Sequence, residues 1–192
     1  MDDIQNVKVA LSQSSAASSD FDLNPGVVLP AGRKLRNAAV LVAIDTTGAE
    51  STVILTKRSS ALKHHPGQIA FPGGKQDDSD ASLADTALRE AWEEIGLPLG
   101  AVGILGELPT HETVTGFRVT PIVAEVHTPF VSRAEPGEVE EVFLIPLSHV
   151  SDPKRFIVQG RRWRGQRRSY YTVPFGPYYI WGATARILRG LA

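Results

Sequence analysis

Arg89-Glu90-Ala91-Trp92-Glu93-Glu94-Ile95-Gly96-Leu97 sets three carboxylates and an arginine within about one and a half helical turns, and then stops the turn with a glycine. On a helix, Glu90 and Glu94 are one turn apart and share a face. Two such oxygen donors can chelate a hard divalent cation, and a cation held there can carry phosphate chemistry. The plainer alternative is a solvated acidic stripe on a surface helix.

The residues just upstream favour the helix. Ser82 with Asp85 three residues on has the outline of a capping box. From Leu83 the apolar positions are Leu83, Ala84, Ala87, Leu88, Ala91, Trp92 and Ile95, which is helical spacing and predicts a helix over 82–95. Glu90 and Glu94 then fall ~40° apart on the margin of the apolar face. Glu93 lies further round, where it adds a metal ligand or orients Arg89. Before the helix, Phe71-Pro72-Gly73-Gly74 supplies two glycines that let the backbone turn and approach a ligand or metal closely. A loop running into a helix N-terminus also presents N–H groups to phosphate.

From Gly74 to Leu97 the chain resembles the Nudix box: Gly, five residues, Glu, seven residues, then Arg-Glu-apolar-x-Glu-Glu-x-Gly-apolar. Asp80 stands at the first Glu, and eight residues separate it from Arg89, while the Arg-Glu-x-x-Glu-Glu core is intact. Upstream, Ile54-Leu55-Thr56-Lys57-Arg58-Ser59, then Lys63, then Gly67-Gln68-Ile69-Ala70 leading into Phe71-Pro72-Gly73-Gly74, is similar to the signature of the Nudix subfamily that hydrolyses coenzyme A and its thioesters. The longer spacer and the Asp77/Asp80 loop are also similar to that subfamily. The likeness runs roughly from Arg36 to Leu188, including Ile180 to Arg186.

The resemblance implies an α/β fold, the Nudix α/β/α sandwich with a mixed sheet between helices. It implies Glu90, Glu93, Glu94 and Arg89 as catalytic residues, with the three glutamates as ligands of Mg²⁺ or Mn²⁺. Arg58, Lys63, Gln68, Gly73 and Gly74 would contact substrate. Arg58 is the candidate for steadying a diphosphate, because its planar fork matches phosphate oxygens; its plainer role is a surface ion pair. A box glutamate, or one of Glu138 to Glu141, would take the proton of the attacking water. The expected reaction is cleavage of coenzyme A or acyl-coenzyme A to 3′,5′-ADP and (acyl-)4′-phosphopantetheine. The alternatives are another nucleoside diphosphate derivative, such as ADP-ribose, and a catalytically silent binding module on the same fold.

Composition narrows the field. The 192 residues suit one domain or a domain plus a tail, and 42% apolar content is enough for a core. A net charge of −1 gives no global attraction to nucleic acid or membrane. The absence of cysteine removes disulfides, thiolate metal sites and cysteine nucleophiles. No apolar run approaches the roughly 20 residues of a membrane span, and Met1-Asp2-Asp3 lacks the basic start of a secretory signal. The expected setting is cytoplasmic, with a small-molecule substrate, no membrane or specific nucleic-acid partner, and a homodimer possible.

Residues 1–34, rich in Ser, Ala, Pro and Gly, read as a tail or packing arm, and 35–192 as the Nudix domain. Strands are expected at 38–44, 52–56, 69–71, 104–107 and 119–126, with a further one entered through Glu138 to Glu141. A hairpin is expected from 156–158 and 170–173, with a final helix at 184–191. The hairpin's basic run, Arg161 to Arg168, reads as a solvated tip, or as a site for nucleic acid or the 3′-phosphate of coenzyme A. His64, His65 and His111 are further candidates for metal or acid roles, and the Thr110 to Gly116 loop for the border of a cleft.

Overall fold

The computed structural model describes residues 3–13, 16–163 and 165–192. Met1 and Asp2, Ser14 and Ser15 of the serine-rich stretch, and Arg164 of the basic run lie outside them. The elements in chain order are α1 (Asp3–Gln13), β1 (Ser18–Ser19), β2 (Arg36–Asp45), β3 (Thr52–Arg58), β4 (Ile69–Ala70), β5 (Gly73–Lys75) and α2 (Leu83–Ile95). There follow β6 (Val102–Glu107), β7 (His111–Glu112), β8 (Phe117–Val126), β9 (Val139–Pro146), α3 (Leu147–Val150), β10 (Ile157–Trp163), β11 (Gln166–Thr172) and α4 (Gly182–Leu188).

The centre of the sheet is the parallel pair β2/β8, in register from Arg36↔Phe117 to Asp45↔Val126. Along β2, Ala39, Leu41 and Ala43 join the cluster of Ala87, Ala91 and Ile95 from α2. The alternate residues Ala38, Val42 and Ile44 join the opposite cluster, with Val7 of α1 and Ile187 and Leu188 of α4. A strand buried on both faces reads as an unbroken apolar run, which is why 38–44 shows no polar alternation. The result is the expected mixed sheet between helices. Small residues at Ala87 and Ala91, both 0% exposed, let α2 lie close on the sheet.

β2 and β3 pair only at Ile44↔Val53 and Asp45↔Thr52. Beyond that they part, and residues 69–75 fill the fork. Ile69 and Ala70 pair with β3, while Gly73 to Lys75 pair with β2. The sequence suggests a loop at Gly73-Gly74; the structure makes it a strand, because β2 offers a free edge there. On the other side of β3, β9 completes the sheet with an irregularity between Lys57 and Arg58. β10 and β11 form a separate two-stranded ribbon.

The helix at 3–13 is absent from the sequence reading, which finds only a loose arm. Its buried residues are Ile4 and Val7, two contacts too sparse to show as a periodic stripe. The following segment is fixed by β1 pairing with β7 and by His111, which is 0% exposed. The His111 ring contacts Ser18 Oγ at 2.9 Å through Nδ1 and Asp20 Oδ1 at 3.1 Å through Nε2. Both ring nitrogens are therefore engaged in holding the arm to the domain, which corrects the metal or acid role considered for this histidine.

Candidate active site

The box helix begins and ends as its sequence directs. Ser82 is extended, and its Oγ accepts from Asp85 N at 3.1 Å. Gly96 closes the helix at φ 69°, donating to the carbonyls of Ala91 and Trp92. One position departs from the expected face: Trp92 is 48% exposed. It lies about 100° from Ala91, beyond the narrow strip that small residues press against the sheet.

Fixed ends set the rotation of α2, and that rotation turns Glu90 and Glu94 toward β5. Both glycines of that strand are required by close approach. A side chain at Gly73 would place its Cβ 2.4 Å from the Ala39 carbonyl oxygen, and one at Gly74 would place it 2.4 Å from Glu90 Oε1. Gly73 N also donates to Glu94 Oε2 at 3.2 Å. The glycines thus make room for the carboxylates themselves.

Both carboxylates are pushed toward the neutral form, chiefly by burial. Glu94 is 3% exposed. Burial pushes its pKa up to about 8, the Glu90 and Glu138 charges push the same way, and the Gly73 N–H and the Arg58 charge oppose them. Glu90 is also raised, first by burial, against the pull of Arg89 and with Glu93 and Glu138 adding to the rise. The charges of Arg58, the last residue of β3, and of Glu138, just ahead of β9, thus reach the site.

Arg89 is an organiser. Its Nε and Nη2 donate to the two oxygens of Asp80 at 2.9 and 3.0 Å, and its Nη1 reaches Glu90 Oε1 and Glu93 Oε2, both at 3.0 Å. Asp80 also accepts from Asp77 N and Thr86 Oγ1, and this set, with Arg89 foremost, holds its carboxyl far below the usual range. With the longer spacer and the shorter side chain, Asp80 still meets the arginine. Sequence reading leaves Asp80 without a role; its partnership with Arg89 is what that reading misses. Glu93 is 55% exposed at its side chain and paired with Arg89, a position suited to orienting the arginine.

The remaining candidates separate. Glu140 is held by Lys57 Nζ at 2.6 Å, and Glu141 accepts from the Tyr178 hydroxyl. Gln68 lines a cleft of about 530 Å³ with Lys57, His65, Glu141, Tyr178, Tyr179 and Trp181. Lys63 and His64 are exposed on the loop between β3 and β4. Among the described residues, no group of three or more His, Cys, Asp or Glu side chains is gathered into a cation cage. The donor set at Glu90 and Glu94 nevertheless fits a divalent cation. It consists of hard oxygens one helical turn apart, whose ionisation is suppressed first by burial and then by neighbouring carboxylates.

Residues 34–163 match the NUDIX domain family. A Cronobacter sakazakii protein described as an uncharacterized Nudix hydrolase NudL is 42% identical over 157 residues, which cover 82% of this chain and 81% of that protein. An Escherichia coli O1:K1 protein of the same description is 41% identical over the same shares. In fold, the chain is similar to a MutT/nudix family protein from Enterococcus faecalis (TM-score 0.56, 16% identity, 87% of this chain and 64% of that one). It is similar too to a C. elegans Ap4A hydrolase (TM-score 0.51, 19% identity, 58% and 80%). The chain belongs to the Nudix hydrolase family. It is a hydrolase acting on pyrophosphate bonds, in a family whose members generally use divalent metal ions. No helix among the described residues is long and apolar enough to cross a membrane.

Proposed function

We propose that this hydrolase cleaves the diphosphate of coenzyme A or acyl-coenzyme A, giving 3′,5′-ADP and (acyl-)4′-phosphopantetheine. The observation that carries the reading is the segment 54–74, whose likeness to the coenzyme A-type signature, with Ile54 for a leucine and Lys63 where arginine is usual, runs from the phosphate-binding candidate to the carboxylate site. Arg58 N donates to Gln68 O at 2.9 Å and Gly67 N to Arg58 O at 3.1 Å, so the loop between them is anchored at its base. One side of this segment meets Glu94 through Gly73 and Arg58. The other side, at Lys57, Gln68 and Ile69, forms a wall of the large cleft. A long nucleotide derivative would have its diphosphate at the first and its body along the second.

Glu90 and Glu94 would hold Mg²⁺ or Mn²⁺, which supplies charge neutralisation on the diphosphate and a more acidic water. Arg58 grips two oxygens of one phosphate with its fork. Glu138 accepts the proton of the attacking water as its oxygen bonds to phosphorus and the bridging P–O bond breaks. Arg89, fixed by Asp80, holds Glu90 in place, and the Gly73 N–H does the same for Glu94. A cytoplasmic setting belongs to the same reading.

The test is a panel of coenzyme A, acetyl-coenzyme A, ADP-ribose and diadenosine tetraphosphate with Mg²⁺ or Mn²⁺, with products separated by chromatography. The coenzyme A compounds should give the highest kcat/KM, and 3′,5′-ADP should appear. A higher value for ADP-ribose would reject the coenzyme A reading and leave a Nudix hydrolase of other specificity. Arg58→Lys should lower kcat/KM by about tenfold or more, because an ammonium cannot reproduce the two-point grip.

A further inference from the structure

The basic ribbon is not an isolated tip. In the antiparallel β10/β11 pair, Gln159 lies opposite Tyr170 and Arg161 opposite Arg168. Directly opposite residues share a face, as do residues two apart on one strand. Gln159, Arg161, Arg168 and Tyr170 therefore lie on one side of the ribbon. Two residues of that side, Gln159 and Tyr170, touch the wall of the large cleft. The Tyr179 hydroxyl donates to Gln159 Oε1 at 2.6 Å, and the Tyr170 and Trp181 rings meet edge to face at 5.1 Å. Tyr179 and Trp181 both line the cleft. Arg161 is close enough for its charge to act on the Tyr179 hydroxyl.

The composition of the ribbon is unusual for its geometry. Residues 157–172 contain no Asp or Glu, and two successive rungs set arginine against arginine: Arg161↔Arg168 and Arg162↔Arg167. Like charges directly opposite on a ladder repel. An anion at the Arg161↔Arg168 rung would be attracted from both strands, and the phosphate monoester group matches the guanidinium fork best. The cleft wall at Gln68 continues through backbone hydrogen bonds to Arg58.

We propose that this side of the ribbon, centred on Arg161 and its cross-strand neighbour Arg168, is a second phosphate subsite that recognises a phosphate monoester on the substrate remote from the diphosphate being cut. The inference rests on the coenzyme A reading, in which that group is the 3′-phosphate of the ribose. It assigns substrate selection to a ribbon that lies largely beyond the box and its upstream signature.

The measurement is kcat/KM for coenzyme A against dephospho-coenzyme A, which lacks only the 3′-phosphate. The parent should prefer coenzyme A by about tenfold or more, the scale of one charge-assisted contact. Arg161→Ala should reduce that preference to below about threefold, chiefly through a higher KM for coenzyme A, and Arg161→Lys should restore part of it. Arg162→Ala removes the same charge from the other side of the ribbon and should leave the preference in place. Inhibition by 3′,5′-ADP should exceed that by AMP in the parent and converge on it in Arg161→Ala. Equal turnover of the two substrates by the parent would overturn the subsite while leaving the coenzyme A reading intact. An equal loss of preference in both alanine variants would also overturn it, by showing a diffuse field. Turnover of neither substrate, with ADP-ribose hydrolysed, would remove both the subsite and the reading beneath it.

Discussion

Glu94 and His111 are both buried titratable side chains, 3% and 0% exposed, and both belong to clusters of polar groups that resemble active sites. They differ in what their neighbours leave over. The His111 ring has a partner at each nitrogen, and Asp20, which holds one of them, spends its other oxygen on Val114 N at 2.8 Å. The cluster is closed, and it ties the N-terminal arm to β7. Glu94 receives the Gly73 N–H and otherwise sits in the fields of Glu90 and Glu138, with Arg58 in partial opposition. Burial first, and the Glu90 and Glu138 charges with it, push its pKa up to about 8, against the Gly73 N–H and the Arg58 charge. A satisfied polar cluster stabilises a fold; an unsatisfied one is where a ligand has work to do.

The largest effect should come from breaking the open cluster. Glu90→Gln or Glu94→Gln should lower kcat by about a thousandfold or more, since loss of a metal contact removes several kcal/mol of transition-state stabilisation. Circular dichroism and the thermal midpoint should remain those of a folded protein. His111→Ala should do the reverse. It should destabilise the fold by about 2–4 kcal/mol in urea titration, from a cavity and two abandoned polar partners, with kcat per folded molecule unchanged.

The pH dependence of stability sharpens the same contrast. The folded pKa of Glu94 lies above its ordinary value of 4.5. Between the two the native state holds a proton that the unfolded chain has lost, so this residue makes stability fall as pH rises from about 4.5 to 8. In a chelator, the denaturation midpoint of the parent should decline across that window more steeply than that of Glu94→Gln. Asp80 has the opposite sign. Its depressed pKa contributes stability above the unfolded value that is lost in acid, and Asp80→Asn should flatten the acid limb while lowering kcat about tenfold through a loosened Arg89. The smallest effect is expected at Glu93. Its pair with Arg89 is exposed, and such pairs are worth about 0.2–1 kcal/mol, so Glu93→Gln should cost less than about fivefold in kcat. A loss as large as that of Glu94→Gln would make Glu93 a metal ligand.

Sequence exposed the parts of this architecture that obey local rules. The capped helix at 83–95, the unbroken apolar strand of β2 and the glycine pair beside the helix each follow from neighbours in the chain. It failed where the reason is distant. The helix at 3–13 has only Ile4 and Val7 buried, too few to announce themselves. β5 exists because β2 and β3 part, and no property of Gly73-Gly74-Lys75 shows that edge. Asp80 gained a role only when the turn brought it to Arg89. Trp92 was lost for a related reason: spacing shows which residues recur, while the closeness of sheet and helix decides how wide the buried strip is. Function was legible through the acidic helix, and the contribution of the C-terminal segment to the cleft was not.

The most direct measurement is calorimetric titration of Mn²⁺ into the metal-free protein at pH 7, repeated in buffers of different ionisation enthalpy to count protons. A site built on Glu90 and a Glu94 pushed up to about 8 should take up the cation with release of close to one proton. Glu94→Gln should lose both the binding and the proton release, and His111→Ala should keep them. Binding by Glu94→Gln as tight as the parent's, or binding by the parent with no proton released, would contradict the account.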